Sequence, residues 1–253
     1  MVDGRHALAI GDLRARIAHL EQGRRARRVA GLPIGIPVID GHLPDDGLCR
    51  GALHEVVGAG GDLAHGAAAA LFAAAILGRA KGSVLWVLKA RDLFAPGLAA
   101  AGLHPDRLIY AETGKEEHVL PVAEDGARHR GLAGVVAETA RLTLTASRRL
   151  QLAAEASGVT VFVLRRWTGR GEPELAGTVA VTRWRLAALP AAPLAKGVPG
   201  VGDSRWRLEL LRCRGAEPAA WTVEACDETG RLRLAANLAD RSAETDARRA
   251  AAG

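Results

Sequence analysis

Hydrophobic runs in the first two thirds of the chain predict buried strands. They cover residues 51–57, 83–88, 107–111, 132–137 and 159–164. Stretches rich in helix-forming residues separate them, and residues 67–77 are the most apolar of these stretches. Strands separated by helices in this way are typical of a doubly wound, mainly parallel sheet with helices on both faces.

The hydrophobic pattern changes after Trp167. Polar and apolar residues then alternate over residues 177–186, 205–212 and 221–234, which predicts strands with one exposed face. We expect these strands to be antiparallel and to extend the sheet at its C-terminal side. Residues 190–204 are rich in proline and glycine and predict a surface loop. The expected fold class is α/β, with antiparallel strands appended to a mainly parallel sheet.

The segment before the first strand has apolar residues at helical spacing and a basic end. The apolar positions are Leu13, Ile17 and Leu20, and the arginines are Arg24, Arg25, Arg27 and Arg28. One interpretation is an amphipathic helix that contacts DNA or an acidic partner. The other is a solvated helix end, because arginine in the last turn also suits the helix dipole.

These patterns divide the chain into three parts. Residues 1–30 form the predicted basic helix, and residues 31–239 form the core domain. Residues 240–253 are charged and rich in alanine, which predicts a disordered tail.

A glycine cluster, Gly58, Gly60 and Gly61, directly follows the first predicted strand and precedes the apolar helix. Strand, glycine turn and helix is the arrangement that directs backbone N–H groups at a phosphate. The layout is therefore that of a nucleotide-binding loop, and the side chains decide whether it can work as one.

The sequence lacks the residues of a working phosphate loop, which reads G-x-x-x-x-G-K-[ST]. Gly61 and Gly66 have the glycine spacing of this motif, but Ala67 and Ala68 follow them in place of lysine and the hydroxyl residue. Counting from Gly58 instead places leucine, alanine and histidine at the three key positions. Neither register supplies a cation or a hydroxyl, so the sequence favours a turn that only joins strand to helix.

The composition is that of a globular protein with a basic balance. The 253 residues carry a net charge of +6 and give a sequence pI near 9.9, which favours acidic partners such as nucleic acid. Only four of the 34 basic residues are lysines, and alanine is abundant. Because this bias also follows from coding-DNA composition, the arginine excess is discounted as a sign of phosphate binding.

The cysteines and the termini indicate a cytoplasmic protein with no membrane partner. Cys49, Cys213 and Cys226 are odd in number and widely spaced, which indicates neither a disulfide framework nor a zinc site. The N-terminus lacks the apolar core of a signal peptide, and residues 67–77 are too few to span a bilayer.

Four stretches, taken in order, resemble the ImuA family, RecA-like accessory proteins of bacterial inducible mutagenesis. They are GIPVIDGHLPDDGLCRGALHEVVG, LTASRRLQLAAEASGVTVFVLRRW, VAVTRWRL and WRLELLRCRG. The resemblance implies a RecA-like core. It also implies three partners in SOS-induced translesion synthesis: RecA, an ImuB-type Y-family-like protein and an error-prone DnaE-type polymerase.

Matching this chain to an active RecA-type ATPase, as the resemblance allows, implies that the catalytic groups are lost. The positions of the phosphate-loop residues, the water-activating carboxylate, the magnesium-binding aspartate and the phosphate sensor fall at or near Ala67, Ala68, Arg91, Ala137 and Arg166. The resemblance therefore implies no enzymatic activity, no nucleotide cofactor and no metal.

Three residues near these positions leave alternatives open. Glu138 follows Ala137 and is the one carboxylate that could replace a metal ligand. Arg91 and Arg166 are expected at the carboxyl ends of the strands, where they could bind an anion or pair with surface carboxylates.

The loops that contact DNA in RecA have only short counterparts in this chain, so RecA-like wrapping of single-stranded DNA is not expected. Trp167 with Arg165, Arg166 and Arg170 could form a small stacking and phosphate patch. The alternative is that Trp167 closes the core at a strand end.

The sequence thus favours a non-catalytic RecA-like adaptor of the mutagenic complex, linking or regulating its three partners. RecA protomers dock an N-terminal segment on a neighbour, and residues 7–29 are the expected counterpart. Two other functions stay open: an ATP-dependent RecA-like repair protein with a divergent phosphate loop, and a stand-alone module that binds DNA, if only weakly.

Overall fold

The structure is a computed structural model that describes residues 30–169, 175–191, 199–225 and 231–235. The strands in these ranges are β1 Leu53–Gly58, β2 Ser83–Leu88, β3 Leu108–Glu112, β4 Leu132–Thr139, β5 Thr160–Arg165, β6 Thr182–Leu189, β7 Arg205–Cys213, β8 Ala219–Glu224 and β9 Arg233–Leu234. The α-helices are α1 Pro37–Asp40, α2 Asp62–Gly78, α3 Ala95–Ala100, α4 Glu116–Ala127 and α5 Leu144–Ser157, and Pro105–Arg107 form a 3-10 turn.

All the described strands belong to one sheet in the order β3-β2-β4-β5-β1-β6-β7-β8-β9. The first six strands in this order are parallel, and β7, β8 and β9 continue the sheet in antiparallel pairs. The predicted α/β class, mainly parallel with antiparallel strands at the C-terminal side, is confirmed.

The direction of β6 corrects one expectation. The alternating stretch 177–186 was expected to be antiparallel, but β6 pairs in parallel with β1, with His54 opposite Thr182 and Gly58 opposite Leu186. It is antiparallel only to β7. Alternation reports that one face of a strand is buried and the other exposed, and it carries no information on strand direction.

One face of the sheet packs against α1, α2 and α3. Helix α2 is apolar on all sides, and nearly every residue from Ala68 to Leu77 is buried. The aromatic side chains of Phe72, Trp86, Phe162 and Trp184 are fully buried in the same layer. Tight packing also needs a glycine at Gly78, where a Cβ would lie 2.6 Å from the Gly102 oxygen.

The opposite face of the parallel strands packs against α4 and α5. Helix α5 begins after Thr143, whose Oγ1 accepts a hydrogen bond of 3.2 Å from the Ala146 N–H, and it ends at Gly158 with φ +83°. Thr145, at which a run of helix-forming residues begins in the sequence, lies inside this helix. Both ends therefore have the groups that stabilise a helix terminus.

A buried histidine joins β1 to β6. The ring of His54 lies between the Cys49 oxygen and Thr182 Oγ1, at 2.8 Å from each, and Trp184 Nε1 donates to the same hydroxyl at 2.9 Å. Since a carbonyl only accepts, Nε2 carries the proton and Nδ1 accepts from the Thr182 hydroxyl. Burial lowers the pKa of His54 to about 4, so the imidazole is neutral.

Candidate functional site

The candidate site lies at the carboxyl edge of the parallel strands, where β1 leads into α2. Helix α2 begins at Asp62, immediately after a turn that ends at Gly61. Gly66 and Ala67 therefore lie in the second turn of the helix and form no part of a loop. In the register counted from Gly58, the three key positions fall in the first turn of the helix, and the assignment to Ala67 and Ala68 stays a prediction.

Neither register offers a side chain that fits a terminal phosphate. Ala67 is exposed and Ala68 is buried. In the register from Gly58, Ala64 takes the lysine position and His65 the hydroxyl position. His65 Nδ1 accepts a hydrogen bond of 3.1 Å from the Ala188 N–H, so this ring connects α2 to the end of β6.

The centre of this edge is occupied by the guanidinium of Arg166, which follows β5. Its Nε lies 2.5 Å from the Asp62 carboxylate, and its Nη2 lies 2.8 Å from the Asp92 carboxylate. Its Nη1 donates to the Glu138 carboxylate, and the Arg166 N–H donates to the Thr139 oxygen at 2.9 Å. We refer to Arg166, Asp62, Asp92 and Glu138 as the Arg166 cluster.

Glu138 is the most buried carboxylate of the cluster, with 4% of its side chain exposed. Its second oxygen accepts a hydrogen bond of 2.7 Å from Trp86 Nε1. Burial raises the pKa of Glu138, while Arg166 and Trp86 act in the opposite direction. Burial also disfavours the charged form of Arg166, but attraction by Glu138, Asp62 and Asp92 outweighs it and raises the pKa of Arg166. The guanidinium is therefore always charged.

The chain after β5 also passes over the start of α2. The Asp62 N–H donates to the Trp167 oxygen at 2.7 Å, and a Cβ at Gly61 would lie 3.2 Å from the Gly169 oxygen. The Asp62 carboxylate in the first turn complements the positive end of the helix dipole. In a working phosphate loop, the anion binds at this start of the helix. Here the Asp62 carboxylate and the Trp167 carbonyl of the protein itself lie at that place.

Two concave regions border the cluster. One, of about 380 Å³, is lined by Lys89, Glu116 and Thr168 together with the cluster itself. The other, of about 230 Å³, is apolar and lies between α2 and the segment that includes Phe94. Glu116 accepts hydrogen bonds of 2.7 Å from Thr139 Oγ1 and from the Ala140 N–H, so its carboxylate fixes the end of β4.

Arg91 and Ala137 are expected near the water-activating and magnesium-binding positions. Neither residue is part of the Arg166 cluster. Arg91 lies 3.8 Å from the Glu112 carboxylate, and both side chains are largely exposed. Arg91 and Arg166 thus each contact carboxylates, and those of Arg166 include the buried Glu138. Ala137 is buried in the layer of α4 and α5, on the opposite face of the sheet from Trp86 and α2.

Two arginines of the expected stacking and phosphate patch contact carboxylates of the protein itself, and the patch as a whole stays a prediction. The Arg165 side chain is 6% exposed and lies 2.9 Å from Glu55, a fully buried carboxylate on β1. Arg166 turns towards its own three carboxylates, and Trp167 is partly buried. Arg165 turns inwards because the buried charge of Glu55 requires a counter-charge. Arg170 lies outside the described residues.

We did not predict Asp62, Asp92 or Glu55 as site residues, although the position of each in the sequence is informative. Asp62 directly follows the glycine turn, Asp92 follows Arg91, and Glu55 is the single acidic residue in an apolar strand. The predicted N-terminal contact residues also lie outside the described residues and stay predictions: Leu13, Ile17, Leu20, Arg24, Arg25, Arg27 and Arg28.

The donor set does not fit magnesium with a nucleoside triphosphate. The cation prefers carboxylate oxygens that leave positions for water and phosphate, but these three carboxylates share one guanidinium. In the described part of the chain, no group of three or more histidine, cysteine or acidic side chains is placed to hold a metal ion. No described helix has the length and apolar character needed to cross a membrane.

Comparison with known proteins gives relatives by sequence and neighbours by structure. The chain is 42% identical over 222 residues to Protein ImuA of Caulobacter vibrioides, in each of two strains, covering 83% of this chain and 90% of that protein. The structure of the RadB recombinase superimposes with a TM-score of 0.59 and 16% identity, covering 81% of this chain and all of that one. This neighbour shows the RecA-like fold. No family model matches the chain.

Proposed function

Since the chain belongs to the ImuA family and has an ImuA-type role in mutagenesis, we propose that it acts as a non-catalytic RecA-like adaptor. In this proposal it links or regulates RecA, an ImuB-type protein and an error-prone DnaE-type polymerase during translesion synthesis. The single observation that carries the non-catalytic part is the Arg166 cluster.

The charge of the cluster opposes phosphoryl transfer. That reaction depends on cations that neutralise the charge developing on the transferred phosphoryl group. Here three carboxylates surround one guanidinium, so the cluster itself is net negative. A triphosphate placed at the start of α2 would meet Asp62 and Glu138 without a phosphate-loop lysine or magnesium to screen them, and binding would be unfavourable.

The cluster also holds this edge in one arrangement. Arg166 connects the start of α2, the segment after β2 and the end of β4 through its three carboxylates. Opening the site for a nucleotide would separate a guanidinium from Glu138, a partner with 4% of its side chain exposed. Such separation is costly because it leaves a buried charge without compensation.

The adaptor role assigns surfaces to the partners. We propose that residues 1–30 dock on RecA, as their apolar spacing and arginines suggest. We propose that β7, β8 and β9 contact the ImuB-type protein, because these strands have one face that packs on the core and one face without a helix among the described residues.

Thermal denaturation with millimolar ATP and magnesium tests the non-catalytic proposal. A ligand that prefers the native state raises the midpoint by mass action, so we expect the same midpoint with and without nucleotide. An active RecA-type ATPase treated identically provides the positive control. An increase that disappears when magnesium is omitted would contradict the proposal and favour a divergent ATP-dependent protein.

Pull-down assays with purified RecA, ImuB-type protein and DnaE-type polymerase test the adaptor role. The full chain is expected to retain all three, directly or through one another. A chain without residues 1–30 is expected to lose RecA while keeping its circular dichroism spectrum. Unchanged RecA affinity would refute docking through the N-terminal segment.

A further inference from the structure

A concave region of about 300 Å³ lies at the amino-terminal edge of β6, on the opposite edge of the sheet from the Arg166 cluster. It is formed where β6 begins and the antiparallel β7 ends, so the two strands bring distant arginines together. Its lining consists of Thr178, Val179, Ala180, Val181, Arg212, Cys213 and Arg214.

The positive charge at this edge exceeds the negative charge that faces it. Arg183 lies directly opposite Arg212 across the β6–β7 pair. The carboxylate that contacts Arg183 is Glu55, and it is already shared: Arg183 contacts one of its oxygens at 2.8 Å, and Arg165 contacts the other at 2.9 Å. Asp45 and Glu155 line the neighbouring concavity together with Arg50 and Arg214. Thr178 Oγ1 also donates to Glu55 at 2.9 Å.

Arg212 and Arg214 have no carboxylate partner among the described residues. Arg212 Nη2 donates to the Ala180 oxygen at 2.7 Å and to Thr178 Oγ1 at 3.4 Å, both of them neutral groups. These contacts fix the guanidinium beside the concavity without neutralising it. The Arg214 backbone N–H donates to the Val181 oxygen at 2.9 Å, while its side chain is exposed.

The pKa of Arg212 reflects the same crowding of like charges. Burial lowers the pKa of Arg212, and repulsion by Arg183 and Arg214 lowers it further, against the attraction of Glu55. An anion bound between these arginines would relieve the repulsion.

The basic character continues along the open face of the sheet. Tryptophans alternate with arginines on β6 and β7, so burying Trp184 and Trp206 directs Arg185 and Arg207 to the other face. Both of these arginines share one carboxylate, Glu209, at 2.5 and 2.8 Å. Arg183 and Arg185 are alternate residues of β6, about 6.6 Å apart along the strand, and Arg207 lies on the neighbouring β7.

We propose that Thr178, Arg212 and Arg214 form a phosphate-binding site for a single-stranded nucleic acid, whose backbone continues over Arg185 and Arg207. The phosphodiester is favoured over a single free phosphate because the arginines extend in a row beyond one concavity. It is favoured over an acidic peptide because guanidinium groups match the oxygens of phosphate in paired geometry. The site is separate from the Arg166 cluster, and at Arg207 it reaches the open face of β7, which the proposed adaptor role assigns to the ImuB-type protein.

Fluorescence anisotropy with a labelled oligothymidylate tests the site in the full chain. The variants are Arg214→Gln alone and Arg212→Gln together with Arg214→Gln. The single variant changes an exposed side chain, so it keeps the test valid if loss of Arg212 affects folding. The matched control is Arg141→Gln with Arg148→Gln, which removes the same charge from two exposed arginines beside the start of α5. Melting curves verify that each variant is folded.

We expect the double variant to bind about tenfold more weakly. Two lost phosphate contacts should also reduce the slope of log affinity against log salt by about 1.4, measured between about 50 and 200 mM salt. Arg214→Gln should give about half of this change in slope, and the control should show only the small effect of net charge.

Three outcomes would overturn the proposal. One is equal weakening in the double variant and the control. Another is stabilisation of the wild type, and not of the double variant, by inorganic phosphate without binding of the oligonucleotide, which would assign the site to a small anion. The third is displacement of the oligonucleotide by polyglutamate at equal charge concentration, which would assign the face to an acidic protein.

Discussion

The Arg166 guanidinium lies 2.5 Å from the Asp62 carboxylate, although the two residues are 104 positions apart in the sequence. Asp62 opens the helix after the first strand, and Arg166 follows the fifth. Their contact, together with those to Asp92 and Glu138, makes the carboxyl edge of the sheet depend on a single guanidinium. Removing this guanidinium should therefore lower the stability of the fold.

Arg166→Met is expected to lower the free energy of unfolding by about 2–3 kcal/mol at neutral pH, because it leaves the buried Glu138 without its cation. The value is below that of a fully buried pair, since solvent screens the partly exposed arginine. Urea denaturation measures it, with Arg91→Met as the control at an exposed pair and an expected change within about 0.5 kcal/mol. Adding Glu138→Gln to Arg166→Met should restore part of the loss. Equal effects of the two arginine variants would contradict the structural role of the cluster.

Glu55→Gln should be more damaging than its small change in shape suggests. Glu55 is fully buried and accepts from Arg165, Arg183 and Thr178, so the amide leaves two arginines without their shared counter-charge. We expect a loss of about 3 kcal/mol in urea denaturation. Glu112→Gln, at a largely exposed carboxylate, is the control. The prediction fails if both glutamines give the same midpoint.

The neutral His54 should make the protein less stable in mild acid. Above pH 6.5 the imidazole is neutral in both states. Between 6.5 and the lowered pKa of about 4, the unfolded chain binds a proton that the native chain excludes, so stability falls as the pH falls. The loss from this residue reaches about 3 kcal/mol near pH 4 and does not grow below it.

Urea midpoints measured at several pH values through this window test the assignment. His54→Asn is expected to lower stability at neutral pH but to flatten the dependence on pH. His104→Asn changes an exposed histidine and should keep the steep dependence of the wild type. A steep dependence that persists in His54→Asn would assign the effect to other groups.

The start of α5 offers a test that separates two threonines. Thr143→Ala should cost about 1 kcal/mol, because it removes the acceptor for the Ala146 N–H. Thr145→Ala should cost less, since Thr145 lies inside the helix and alanine is the better helix former. Thermal or urea denaturation of the two variants decides the order, and the reverse order would contradict the cap at Thr143.

The sequence predicted the layers of the fold better than the directions of its strands. The run 83–88 is β2 with the same bounds, and the change of pattern after Trp167 correctly marked the end of the first five strands. The parallel pairing of β6 could not be foreseen, because its outer face lacks a covering helix and so alternates like an antiparallel strand. The resemblance to the ImuA family is confirmed by relatives at 42% identity.

The candidate site was predictable in its location and not in its contacts. The glycine turn and the missing lysine direct attention to the start of α2, and the comparison with active ATPases leads to Arg166. The partners of Arg166 are 28, 74 and 104 residues away and lie on three different elements. Only the packed sheet brings them within hydrogen-bonding distance, so no local spacing in the sequence reports them.

A site filled by its own arginine has consequences for timing. A nucleotide leaves after hydrolysis, so a protomer that depends on it alternates between a nucleotide-bound and a nucleotide-free state. The rate of hydrolysis then sets how long the bound state lasts. Arg166 is covalently part of the chain and cannot be exchanged, so nucleotide hydrolysis would not limit how long the proposed adaptor stays in one state. How long it acts would then be decided from outside, by how much of it the cell makes and how quickly it is degraded.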